Sequence, residues 1–203
     1  MKRAGMTARR AGRPRAFDPE EAVDAALKVF WEKGYEGASL SDLTQAMGIN
    51  RPSLYAAFGD KEALFRRAVD RYVHGPASYM GQALEEPTAR AAVERLLEGA
   101  AGLRAAASQP RGCLLVNGAL ACGDESASVR ADLAARRAAG ELAIRRRLAR
   151  ARSEGDLPHD ADPADLARFV ATVMQGLAVQ AAGGASVASL RGVVRTALRA
   201  LPA

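Results

Sequence analysis

Aromatic residues, cysteines and long apolar runs are all scarce in this chain of 203 residues, and each scarcity removes a class of structure. Only 5% of the residues are aromatic although 49% are hydrophobic, and alanine supplies much of the difference. Strands favour β-branched and aromatic side chains, whereas alanine is the best helix former, so the balance points to packed helices. The two cysteines, Cys113 and Cys122, stand nine positions apart. On one helix that spacing puts them ~13 Å apart on nearly opposite faces, too far to bridge within a subunit. Such cysteine usage agrees with a reducing compartment. Neither His74 nor His159 has a second ligand at metal-binding spacing, so no metal is expected. No run reaches the roughly eighteen apolar residues of a membrane span, and no apolar stretch follows the basic N-terminus as in a signal peptide. A cytoplasmic protein with no membrane partner is expected. Phosphate-cradling glycine loops, nucleophile elbows, zinc helix motifs and paired-cysteine redox motifs are also missing. No catalytic residue and no cofactor is therefore expected.

Acid is absent from residues 1–16, which hold Lys2, Arg3, Arg9, Arg10, Arg13 and Arg15. The whole formal charge of +6 resides in this arm, and the remainder of the chain is neutral. A neutral body with a basic arm suits a polyanion, although such an arm also serves solubility alone.

What is abundant is helix punctuation. Asp18, Pro19 and Glu21 open a helix whose apolar stripe is Val23, Ala26, Leu27 and Phe30, and Gly34 stops it. Ser39 and Asp42 form a capping box for a short helix ending at Gly48, and Asn50 caps a third helix reaching Phe58. A longer helix is expected from Lys61 toward Tyr79, and another from Thr88 to about Ser108. Beyond Pro110 come an apolar stretch, 112–122, a long arginine-rich helix, 127–154, and two apolar-striped helices begun by Asp162-Pro163 and Ser186. The expectation is an all-α protein of about nine helices, with no internal repeat. The arginines at 136, 137, 145, 146, 147, 150 and 152 are expected on a solvated face, with Glu141 pairing Arg145 at helical spacing.

The segment Ser39–Phe58 carries the function. A helix-turn-helix needs a left-handed residue between its helices, and Gly48 supplies it without steric cost. Leu43, Met47, Ile49, Leu54 and Phe58 fall at offsets that form one small core around that glycine. The second helix then presents Asn50, Arg51, Pro52 and Ser53 to a major groove, where short polar and basic side chains suit base edges and phosphates. Ser39 and Ser41 open the preceding helix beside them. Tyr55 can rest its ring on the core with its hydroxyl toward a phosphate, and Lys61 lies in the first turn of the next helix, where amides attract phosphate.

Residues 18–65, with Ala-Met-Gly-Ile-Asn-Arg-Pro-Ser-Leu-Tyr-Ala-Ala-Phe-Gly-Asp-Lys-Glu-Ala-Leu-Phe at 46–65, resemble the DNA-binding domain of TetR-family repressors. Thr44 departs from the pattern, since helix-turn-helix proteins usually place alanine there. The stretch Arg-Gly-Cys-Leu-Leu-Val-Asn at 111–117 also resembles a segment of many relatives. The resemblance implies a basic arm (1–16), a three-helix reading head (17–62) and a larger helical ligand-binding and dimerisation domain (63–203). It also implies a homodimer paired through the last two helices, double-stranded operator DNA as partner, and release by a small-molecule inducer. Within that frame Arg13 and Arg15, flanking Pro14, suit a narrow minor groove. Candidate inducer contacts are Tyr72, Tyr79, Cys113, Asn117, Leu120, Met174 and Gln175, with Asn117 and Gln175 singled out because a buried amide needs a partner. An alternative is that Cys113 senses oxidants or electrophiles, against the reading that it is buried and inert.

Overall fold

The computed structural model describes residues 17–102, 109–120, 123 and 126–202. Among these the chain forms ten helices and no strand. α1 (Pro19–Gly37) starts as its residues dictate: the Asp18 carboxylate accepts the Glu20 amide at 2.8 Å, Pro19 occupies the first turn, and Glu20 and Glu21 face the positive end of the dipole. Gly34, at φ 72°, breaks its helical path three residues before the end. α2 (Leu40–Met47), α3 (Arg51–Phe58) and α4 (Lys61–His74) follow through tight turns. The periodicity carries past Gly75-Pro76 to Tyr79, but the chain does not. Gly75 leaves helical geometry, and Tyr79 opens a separate short helix, α5 (Tyr79–Leu84), one more than the apolar pattern separates. α6 (Ala89–Ala100), α7 (Leu114–Leu120), α8 (Ala127–Ser153), α9 (Pro163–Ala182) and α10 (Val187–Arg199) complete the order.

Two apolar clusters hold these helices. The first joins α1 to α4 with α7 and the start of α8, around Phe30, Leu43, Leu54, Phe65, Leu114 and Leu133. The second joins α5, α6, the later half of α8, α9 and α10, around Leu96, Leu97, Ile144, Leu148, Val170 and Leu177. Each such side chain contributes roughly 1.5–3 kcal/mol by leaving water. α8 belongs to both clusters and so connects them.

The arginines of α8 do not form one solvated face. Arg136 pairs with Asp132 and, at 2.8 Å, with Asp70 of α4, while Arg137 donates to the Leu115 carbonyl at 2.6 Å. Arg147 is buried at 5% exposure. Glu141 reaches Arg168 of α9 at 3.6 Å instead of Arg145 on its own helix, because the neighbouring helix brings a guanidinium within range. No described helix is long and apolar enough to cross a membrane, and the described residues contain no metal-binding cluster.

Candidate nucleic-acid interface

The interface is built from the turn outward. Gly48 sits at φ 64°, ψ 28°, and its amide and that of Ile49 return to the Gln45 and Thr44 carbonyls at 3.3 and 3.1 Å, closing α2 with a Schellman motif. A Cβ at Gly48 would meet none of the described residues within 4 Å, so the requirement is conformational and not steric. G48A is therefore expected to cost about 1–2 kcal/mol, and G48N less, in urea melts. Equal stability of all three proteins would contradict the role given to this turn.

α2 begins at the expected capping box: the Ser39 hydroxyl accepts the Asp42 amide at 3.0 Å, and Asp42 accepts the Ser39 amide at 3.0 Å. Lys33 of α1 lies 2.7 Å from the same carboxylate. Hydrogen bonds from Lys33 and then Ser39 pull the Asp42 carboxyl down to about 2. Thr44, the departure from the helix-turn-helix pattern, is accommodated because its hydroxyl donates to the Leu40 carbonyl at 2.8 Å. Asn50 caps α3 by accepting the Ser53 amide at 2.9 Å. Arg51 donates to the Ser41 hydroxyl at 3.1 Å, which ties α3 to α2 on their exposed side.

Leu43, Met47, Leu54 and Phe58 are buried and Ile49 packs against them, as the offsets around Gly48 require. Burying Leu54 and Phe58 turns the other side of α3 outward. Asn50, Arg51 and Pro52 are exposed, Ser53 is half-buried, and Tyr55 keeps 48% of its surface in solvent. Ser39 and Ser41 are exposed at the start of α2.

Lys61 is less free than its position in the sequence suggests. Its ammonium lies 4.6 Å over the Tyr35 ring, and burial lowers its pKa while Glu36 opposes the shift. The Glu36 carboxylate also accepts the Gly123 amide, beyond α7. Two features of this surface escape the sequence reading. Arg67 stands 5.5 Å over the Phe58 ring at the end of α3, and Phe17 packs on the same ring at 6.2 Å. Arg67 has no signal in local spacing, because its partner Phe58 lies on another helix, and the only signal for Phe17 is its proximity to the basic arm. Arg13 and Arg15 lie outside the described residues.

Of the candidate inducer contacts, the structure brings together Tyr72, Tyr79 and Cys113. Burial, and then the Cys113 sulfur, push both phenols up in pKa. Trp31 stacks edge-on against Tyr72 at 4.7 Å and donates to the Gly112 carbonyl at 3.1 Å. Asn117 is half-buried and lines an adjoining cleft of about 380 Å³ with Trp31, Lys33, Gly34 and Arg111. Met174 is elsewhere, in the second cluster. Gln175 does not line the interior of this chain: it is exposed, because Met174, Leu177, Ala178 and Ala181 take the inward positions of α9. The side chain of Leu120 lies outside the described residues.

Comparison with known proteins agrees with this geometry. Residues 22–68 match the family model for bacterial regulatory proteins of the tetR family, and residues 89–197 match that for the tetracyclin repressor-like C-terminal domain. The HTH-type transcriptional repressor ComR of Escherichia coli (strain K12) is 34% identical over 193 residues, spanning 94% of this chain and 92% of that one. BdcR, a second HTH-type transcriptional repressor of the same strain, is 33% identical across 88% of this chain and 86% of its own. Among solved structures, the TetR family transcriptional regulator CifR, as a cysteine mutant complexed with 26bp double-strand operator DNA, superposes with a TM-score of 0.89. It is 46% identical and covers 94% of this chain and 100% of its own. With the turn, the exposed face of α3 and both family matches in agreement, this chain belongs to the TetR family of DNA-binding transcriptional regulators.

Proposed function

We propose that the protein is a cytoplasmic repressor that holds a palindromic operator with two reading heads and lets go when a small molecule enters the body. The observation that carries this reading is the exposed N-terminal turn of α3, with Tyr55 beside it, held at a fixed angle by Gly48. Arg51, Asn50 and Ser53 meet base edges and phosphates, with Pro52, Ser39 and Ser41 at the groove wall. Tyr55, Lys61 and Arg67 grip the backbone. The arm, with Arg13 and Arg15, begins next to Phe17 and so starts from the Phe58 end of α3. Two-fold pairing through α9 and α10 is supported by the apolar side chains they leave exposed, Phe169, Val179, Val187 and Val193. ComR and BdcR are named as repressors, and CifR was captured on its operator.

An operator selected from random duplexes tests the reading. Arg51→Ala is expected to weaken binding by about 1–3 kcal/mol and to relax specificity at one position, whereas Tyr55→Ala weakens all sequences alike. Wild-type affinity in both variants would sink the assignment. The same operator separates the inducer reading from thiol sensing. C113S keeps its response if the body recognises shape, and loses it if the sulfur is modified.

A further inference from the structure

Arg147 is a buried charged side chain that the repressor reading does not use. It stands on α8 between Ile144 and Leu148, on the face that builds the second cluster, and only 5% of it is exposed. One of its nitrogens, Nη2, donates to the Glu86 carbonyl in the α5–α6 turn at 2.8 Å. Nε and Nη1 are buried and have no hydrogen-bond partner among the described residues. The neighbouring carboxylates are engaged elsewhere. Glu86 pairs with Arg95, which also donates to Gln82 at 2.9 Å, and Asp156 accepts the Ala89 amide at the start of α6. Removing one partner from a buried ion pair leaves a charge whose burial is strongly unfavourable, and a guanidinium stays protonated whatever its surroundings. A leucine or methionine at this position would serve the cluster better, so the arginine is explained by something that visits it.

We infer that Arg147 anchors a site for a small organic acid, whose carboxylate takes the free N–H groups while its apolar body lies among the side chains of the second cluster. This rests on the inducer reading above and gives the inducer a chemical class. Charge sets the choice of anion. Among the described residues no carboxylate pairs with this guanidinium, so one negative charge balances it, whereas a phosphate monoester would bury a second. The cluster that Arg147 shares with Ala83, Ile144, Leu148 and Ala151 is apolar and buried, so an aliphatic or aromatic body would enter it by displacing packed side chains.

The test uses the full-length protein with benzoate and hexanoate, set against benzamide and hexanamide as uncharged twins. Carboxylate is expected to raise the melting temperature by about 5–10 °C at about a hundredfold excess over its Kd, and the amides to leave it in place. Arg147→Met is expected to melt higher than wild type without ligand and to bind the carboxylates at least about tenfold more weakly. Arg147→Lys keeps the charge but not the fork, and weakens binding while remaining folded. Three results would overturn the site: carboxylates and amides acting alike, carboxylate binding that survives in Arg147→Met, or no carboxylate shift in a wild type that Arg147→Met only destabilises. The last would mean a structural cation satisfied by water. Operator release is followed separately by fluorescence anisotropy. Carboxylate bound at Arg147 without release would retain the site and remove the inducer reading.

Discussion

Replacing Gly112 by alanine is expected to destabilise the protein by about 2–5 kcal/mol, combining left-handed strain with overpacking. Gly112 sits at φ 83°, and a Cβ there would stand 2.6 Å from Asn117 Nδ2, 2.8 Å from the Ala178 carbonyl oxygen and 3.0 Å from the Ala182 Cβ. Asn117 can rotate away, but the carbonyl belongs to the backbone of α9 and cannot. The Gly112 carbonyl is also the acceptor for the Trp31 indole, so the residue joins α1 of the reading head to α9 of the body. Gly155 provides the control. It shares the conformation, at φ 82°, yet a Cβ there would meet none of the described residues within 4 Å, so G155A should show the strain alone. Urea melts of both variants separate the two contributions. Equal losses for G112A and G155A would mean that the close approach of α9 is not rigid.

That junction shows why part of the site was legible in the sequence and part was not. Capping is local, and it could be read: Asp18, Ser39, Asn50, Thr88, Asp162 and Ser186 each accept a backbone amide within the next turn. The left-handed turn at Gly48 and the five apolar residues around it lie within sixteen positions of one another, and their spacing alone fixes the face that α3 exposes. Partners far apart in sequence leave no such trace. Tyr72 meets Cys113 across forty-one positions, and Trp31 meets Gly112 across eighty-one. Composition misled in two places for a different reason. Arg147 is hidden among Arg145 and Arg146, although it shares a helical face with Ile144 and Ala151, and Gln175 lies on the exposed face of α9 with Val179, while Met174, Leu177 and Ala178 turn inward. In both, helical phase decides burial and residue type does not.

The aromatic cluster between α1 and α4 leads to the second large effect. Phe65, 1% exposed, meets Phe30 edge-on at 5.0 Å and Tyr35 at 5.1 Å, and Tyr35 in turn carries the Lys61 ammonium over its ring. The Phe65 ring also lies near Gly118 of α7, where an added Cβ would come within 3.8 Å of the ring and 3.3 Å of Leu133 Cδ1. One side chain thus supports Tyr35, the ring that carries Lys61, and packs where α4 meets α7. Phe65→Ala is expected to cost about 3–5 kcal/mol in urea melts, the range for emptying an aromatic site in a packed core. Operator affinity should fall further than the unfolded fraction explains, because Tyr35 and Lys61 lose their backing while α4 loses its hold on α7. Phe65→Leu fills most of the volume and should recover most of the stability, but not the edge-on contacts. If Phe65→Ala, measured at a temperature where it remains folded, binds operator as wild type does, the cluster is packing alone and plays no part in aiming the head.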